Sequence, residues 1–132
     1  MKAKINIITL AVQNLEVSIS FYKDGLGFPK EGLVQDADHV VFSMEDDSSL
    51  VLYLRSALED FTAAGTAART NDVILSCAVE KKEEVDSILK TAIKYGGTLM
   101  PDQPKDYDWG YSGYFKDPDG HIWEAVYFHQ GS

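Results

Sequence analysis

The sequence has a single cysteine, Cys77, and only four prolines in 132 residues. One thiol excludes a disulfide framework within the chain and any cysteine-rich zinc site. No apolar run approaches the roughly 20 residues needed to span a bilayer, so no membrane partner is expected. The first residues, Met1-Lys2-Ala3-Lys4-Ile5-Asn6, lack the apolar stretch of a secretory signal, and the expected compartment is the cytoplasm. Basic residues are also scarce, 12 against 21 acidic, for a net charge of −9. The deficit is spread over both halves, with no basic stripe, which argues against nucleic-acid binding. Glycine-rich phosphate loops, nucleophile elbows and paired zinc-ligand motifs are missing too.

What is present is an ordinary globular composition, 45% hydrophobic and 25% charged. At this length about two thirds of the unfolded surface is buried on folding, enough for a core without staples. The acidic balance serves solubility, and it also suits a cationic small molecule.

The pattern along the chain is a repeat. Lys4–Val12 is apolar and β-branched and predicts a strand buried on both faces. Asn14 offers an N-cap, and Leu15, Ile19, Tyr22 and Leu26 follow at helical spacing, with Gly25 and Gly27 as the stop. Strands are expected near His39–Met44 and Leu50–Leu54, around the polar turn Glu45-Asp46-Asp47-Ser48-Ser49. The second half repeats the order: a strand at Val73–Val79, a helix at Lys82–Tyr95 stopped by Gly96-Gly97, and a short strand at Thr98–Met100. A loop from Pro101 to Gly110 then leads to a hairpin, Tyr111–Lys116 and His121–Phe128, around Asp117-Pro118-Asp119-Gly120. Ala11-Val12 superposes on Ala78-Val79, so each half reads as βαβββ. The fold class is α+β, one domain over residues 1–132. Module one spans about 4–55, a linker about 56–71, and module two about 72–128.

Two motifs carry a resemblance. Phe21-Tyr22-Lys23-Asp24-Gly25-Leu26-Gly27-Phe28 follows the first helix, and Gly113-Tyr114-Phe115-Lys116-Asp117-Pro118-Asp119-Gly120-His121-Ile122-Trp123-Glu124 forms the last hairpin. In these halves and this order they resemble the vicinal oxygen chelate superfamily: glyoxalase I, extradiol dioxygenases, fosfomycin-modifying enzymes and bleomycin-binding resistance proteins. The resemblance implies paired βαβββ modules forming a cup-shaped curved sheet, usually completed in a homodimer. Metal-dependent members take one ligand from each of four strand positions. Matched here, these fall on Ile7, Tyr53, Ile74 and Glu124, and only Glu124 can donate as the family requires. A one-residue slip offers Asn6 or Ile8, and Leu52 or Leu54, and Asp72 is the only other carboxylate nearby. No metal ligand set and no cofactor is therefore expected, although a divalent metal near Glu124 stays open.

The histidines do not complete a set. His39 opens a strand, His121 follows the turn glycine and His129 lies in the tail, and each reads as an ordinary, partly exposed side chain. His121 lies three residues from Glu124, which in a strand places them on opposite faces. Cys77 alternates toward the helix side and reads as core. Glu124, between Ile122-Trp123 and Ala125-Val126, is the candidate catalytic residue. A carboxylate in such a setting needs a partner, and desolvation of carboxylates is one route to general acid or base chemistry.

Family geometry places Ile7, Thr9, Tyr53, Ile74, Ser76 and Glu124 on the cup wall. The loop Asp106-Tyr107-Asp108-Trp109-Gly110-Tyr111 adds Trp109 and Tyr111 beside carboxylates, suited to a cationic aromatic compound. The expected function is small-molecule binding, metal-independent, by a cytoplasmic homodimer of the glyoxalase/bleomycin-resistance type. The alternative is a metal-dependent or Glu124-dependent lyase, isomerase or dioxygenase. A purely structural module, with its cup filled, is a third reading.

Overall fold

A computed structural model describes residues 1–62 and 73–129, with the side chains of 60–62 left aside. The chain divides into two compact units, residues 1–68 and 69–132, each built around its own sheet.

In the first unit, β1 (Ile7–Val12) runs parallel to β4 (Ser49–Leu54). Beyond β4 lie β3 (His39–Ser43) and β2 (Val34–Gln35), both antiparallel to their neighbours, giving the order β1-β4-β3-β2. One face is apolar throughout: Val12, Val40, Phe42, Leu50 and Leu52 are buried on it. Against this unit's strands packs α1 (Leu15–Ile19), started by Asn14, whose side chain accepts from Val17 N–H at 3.1 Å. The helix does not run on as α to Leu26. Ser20–Gly25 is a π-helical turn, with Leu26 N–H donating to the Phe21 carbonyl five residues back at 2.9 Å. Within this turn the consecutive Phe21 and Tyr22 are both fully buried. Tyr22, Phe28 and Phe42 continue the aromatic core at centroid distances of 5.4 and 6.0 Å.

The other face of this sheet is covered only in part, with Val51 buried on it, and β1 is one of the sheet's two edge strands. Ile7 is 59% exposed and Thr9 is exposed, so the strand buried on both faces expected here is covered on one only. The segment expected as the start of the linker begins as α2 (Arg55–Thr62), and residues 63–72, including Asp72, lie outside the described ones.

In the second unit, β5 (Ile74–Val79) runs parallel to β9 (Ile122–Phe128), which pairs with β8 (Gly110–Lys116) in the final hairpin. β6 (Thr98–Leu99) adds to β8, as does β7 (Lys105–Tyr107), a strand that forms within the segment expected as loop. α3 (Lys82–Lys94) packs on β8 and β9, burying Val85, Leu89 and Ala92 against Phe115, Trp123 and Ala125. It lies mainly over those central strands, so the helix side of edge strand β5 is open. Cys77 faces that side and is exposed, not core. The hairpin turn closes with Gly120 N–H donating to the Asp117 carbonyl at 3.0 Å.

His121 is also corrected by the structure. It is buried, with Nδ1 2.7 Å from Asp117 Oδ2, while Asp117 Oδ1 accepts from the backbone N–H of His121 and of Asp119. The turn motif is thus pinned from within, which accounts for a histidine there without a role toward Glu124. Among the described residues no helix is long and apolar enough to cross a membrane.

Candidate functional site

Strand register puts a polar cluster on the face of the second sheet opposite α3. Ser76, Glu124 and Tyr114 form one row across β5, β9 and β8. The next row holds Ala78, Val126 and Ser112 with Lys105 of β7, and the one beyond it Phe128, Gly110 and Tyr107. Side chains in these rows share a face because the strand period is two. Lys116, paired with Ile122, lies on the other side of the Glu124 row.

Glu124 is half-buried and both of its oxygens are engaged. The Ser76 hydroxyl donates to Oε1 at 2.7 Å and the Ser112 hydroxyl to Oε2 at 2.6 Å. Ser112 is 1% exposed, so its donor is fixed in direction. Desolvation, with the Glu124 charge on the same face adding to it, pushes the Tyr114 phenol above its ordinary value, so Tyr114 stays neutral at physiological pH. The carboxylate is held by hydroxyls from both neighbouring strands, which answers the demand for a partner that an apolar strand makes.

At the end of this face lies an exposed aromatic stack. Tyr107 and Trp109 are parallel, with centroids 4.7 Å apart, and Phe128 sits 5.8 Å from Trp109. Trp109 is 47% and Phe128 55% exposed. The His129 N–H donates to the Trp109 carbonyl at 2.9 Å, tying the β7–β8 turn to the end of β9.

The expected site residues separate into three groups. Ile74, Ser76 and Glu124 share this face of the second unit, with Trp109 in the turn at its end. Ile7, Thr9 and Tyr53 share the partly covered face of the first unit, where Tyr53 stacks on His39 at 4.8 Å. His39 Nδ1 lies 2.7 Å from Asp38 Oδ1. Tyr111 lies apart from Glu124, on the α3 side, where its hydroxyl donates to Asp86 at 2.6 Å and Lys82 sits over its ring. Asp106 shares that side and pairs with Lys82 at 2.9 Å. Of the two loop carboxylates expected beside the aromatics, Asp106 and Asp108, the first is thereby paired with a helix lysine.

Ser112, Tyr114, Tyr107 and Phe128 were not among the expected site residues. Tyr114 was legible in principle: Lys116 and Ile122 flank the turn, so counting back two pairs Tyr114 with Glu124. Ser112 follows on the same face.

The donor set does not fit a divalent metal. Ile7 and Ile74 have no donor atom, and the Tyr53 phenol is raised by partial desolvation and by Asp38 and Asp36, so it stays protonated. Glu124 has one hydroxyl on each oxygen. Among the described residues no three of His, Cys, Asp or Glu are grouped closely enough to hold a metal ion.

Solved structures share this fold. A glyoxalase-related enzyme from Fulvimarina pelagi superposes with a TM-score of 0.86 at 26% identity, over 96% of this chain and 88% of that one. A hypothetical protein from S. aureus gives 0.81 at 26% identity, over 96% and 94%. A glyoxalase/bleomycin resistance protein/dioxygenase family enzyme from Burkholderia phytofirmans PsJN gives 0.78 at 18%, over 96% and 99%, a likeness of fold alone. No curated protein matches the sequence. The model of the Glyoxalase/Bleomycin resistance protein/Dioxygenase superfamily matches residues 4–125. With the strand order of both units and nearly the whole chain accounted for, the protein belongs to that superfamily.

Proposed function

We propose that the chain is a metal-independent small-molecule-binding protein that takes up a cationic aromatic compound, acting as a homodimer in the cytoplasm. One observation carries this reading: a carboxylate oriented by hydroxyls, Glu124, shares a sheet face with the exposed Tyr107–Trp109 stack. A flat ring gains from stacking on exposed aromatics, and a cation gains from a fixed negative charge in a partly desolvated setting. The exposed thiol of Cys77 suits a reducing compartment.

The test is a thermal shift and tryptophan fluorescence titration with 1-naphthylmethylamine, neutral 1-naphthylmethanol and anionic 1-naphthylacetate. Only the amine raises the melting temperature and quenches fluorescence, and saturation at 100 times Kd stabilises by about 2.7 kcal/mol. Trp109→Phe loses the quench, because Trp123, the only other tryptophan, is buried. Equal responses to all three compounds, or none, overturn the reading.

The enzyme reading draws on the Fulvimarina pelagi relative, described as a glyoxalase-related enzyme. There Glu124 would act as the base of a lyase, isomerase or dioxygenase. The hydroxyls on both its oxygens favour recognition over proton abstraction, since a base must free a lone pair toward its substrate. Turnover that disappears in Glu124→Gln while the fold is kept would decide for the enzyme.

A further inference from the structure

This inference rests on the binding reading and adds a second charged group to the ligand. Lys82 holds Asp106 on the α3 side of β7 at 2.9 Å, so the neighbouring Lys105 and Tyr107 lie on the opposite face, with Glu124. Register agrees: Lys105 pairs with Ser112, whose hydroxyl donates to Glu124. Lys105 is exposed, and among the described residues it forms no ion pair. Its row lies between the row of Glu124 and that of Tyr107. A strand spacing of about 4.8 Å and a rise of about 3.4 Å per residue set the Lys105 and Glu124 backbones about 12 Å apart. That gap suits a small molecule held by one charge at each end. The charge of this face also runs against that of the chain. Its strand positions carry Lys105, Lys116 and Glu124 and no other charged residue, in a molecule of net charge −9.

We propose that the ligand is an aromatic zwitterion of the α-amino acid class, its ring on the Tyr107–Trp109 stack, its ammonium at Glu124 and its carboxylate at Lys105. Without a cation nearby, a ligand carboxylate on this face is repelled by Glu124 and by the net charge of the chain. Lys105 turns that repulsion into a charge-assisted hydrogen bond. Lys116 lies beyond the Glu124 row, away from the stack, and is out of line for a ligand anchored by its ring.

The experiment is calorimetric titration of the full chain with 3-(1-naphthyl)alanine, its primary amide, 2-(1-naphthyl)ethylamine and 3-(1-naphthyl)propionate. The unmodified chain is compared with Lys105→Gln, Lys116→Gln and Glu124→Gln. Lys105 is exposed, so the fold survives its replacement. The amino acid binds the unmodified chain about fivefold more tightly than the amide or the amine, the gain that one partly exposed ion pair supplies. In Lys105→Gln that advantage is lost, because the carboxylate then meets only the repulsion of Glu124. Lys116→Gln removes the same charge from the same face and keeps the advantage. An amino acid that binds the unmodified chain no more tightly than its amide overturns the proposal. So does an advantage retained in Lys105→Gln, or one lost equally in Lys116→Gln. Propionate that binds as tightly as the amine, or an amine indifferent to Glu124→Gln, instead overturns the binding reading beneath it.

Discussion

Asp117 sits in a surface turn yet is almost wholly buried, and it accepts from two backbone N–H groups and faces the His121 ring. Removing it strands buried donors, each costing about 1–3 kcal/mol. Asp117→Ala is therefore expected to lower unfolding free energy by at least about 2 kcal/mol in urea titration. Asp117→Asn keeps an acceptor for the backbone and is expected to cost less. Tyr111 provides a titration signature. Its hydrogen bond to Asp86, then desolvation and the charges of Asp86 and Asp106, push its phenol up to about 12. The folded chain then keeps a proton that the unfolded chain, with an ordinary tyrosine near 10, gives up. That contribution is complete below about pH 10 and is lost as pH rises through about 12. In Tyr111→Phe, stability is expected to fall less steeply with pH across this window, and the late phase of phenolate absorbance is expected to vanish. An unchanged slope would separate Tyr111 from alkaline stability.

At the scale of elements, two glycines of β8 distinguish rigid from yielding neighbours. A Cβ on Gly110 would lie 2.0 Å from the Tyr127 carbonyl oxygen, which belongs to the ladder itself. A Cβ on Gly113 would lie 2.5 Å from Leu89 Cδ1, the end of a flexible side chain on α3. Overpacking typically costs about 1–3 kcal/mol, and Gly110→Ala is expected to exceed Gly113→Ala because backbone cannot rotate away. Adding Leu89→Ala to Gly113→Ala should relieve part of the clash, visible as non-additivity in a double-mutant cycle of urea midpoints. Additive costs would mean that Leu89 is not the obstacle. Element order and most boundaries were legible from period and punctuation: Asn14 as cap, glycines as stops, the Asp117–Gly120 turn between two apolar runs. The π-turn at Ser20–Gly25 was not, because the apolar spacing of Leu15, Ile19, Tyr22 and Leu26 reads as ordinary helix and carries no mark of a bond five residues back. Strand β7 was hidden for a similar reason. Lys105-Asp106-Tyr107 has no alternation of its own and pairs because β8 offers it a ladder.

For the whole molecule, a net charge of −9 means that self-repulsion opposes the compact state. Raising salt from about 20 to 300 mM shortens the Debye length several-fold, and a melting temperature higher by a few degrees is expected. A fall would mean that attractive pairs such as Lys82–Asp106 dominate. The edge strands β1 and β5 leave apolar side chains in the open, Ile7 on β1 and Ile74, 51% exposed, on β5. The homodimer proposed above is expected to raise the melting temperature with protein concentration and to sediment as two chains at tens of micromolar. A concentration-independent monomer would overturn it.

The sequence by itself determined the α+β class, the strand-then-helix start of each half with its closing strands, and the chemistry available at the site. Periodicity and turn residues act over a few positions, and identity alone shows that isoleucine cannot ligate a metal. Tertiary structure decided which groups meet. The parallel register of β5 on β9 brings Ser76 to Glu124 across 48 positions of chain, and the pleat sends Tyr111 and Asp106 to α3 while Ser112 and Tyr114 turn to Glu124. Non-local pairing is selected by burial and hydrogen bonding of the whole sheet, so a single segment carries no record of it. Cys77 shows the same limit: alternation gave its side of the strand, but its exposure depends on how far α3 reaches.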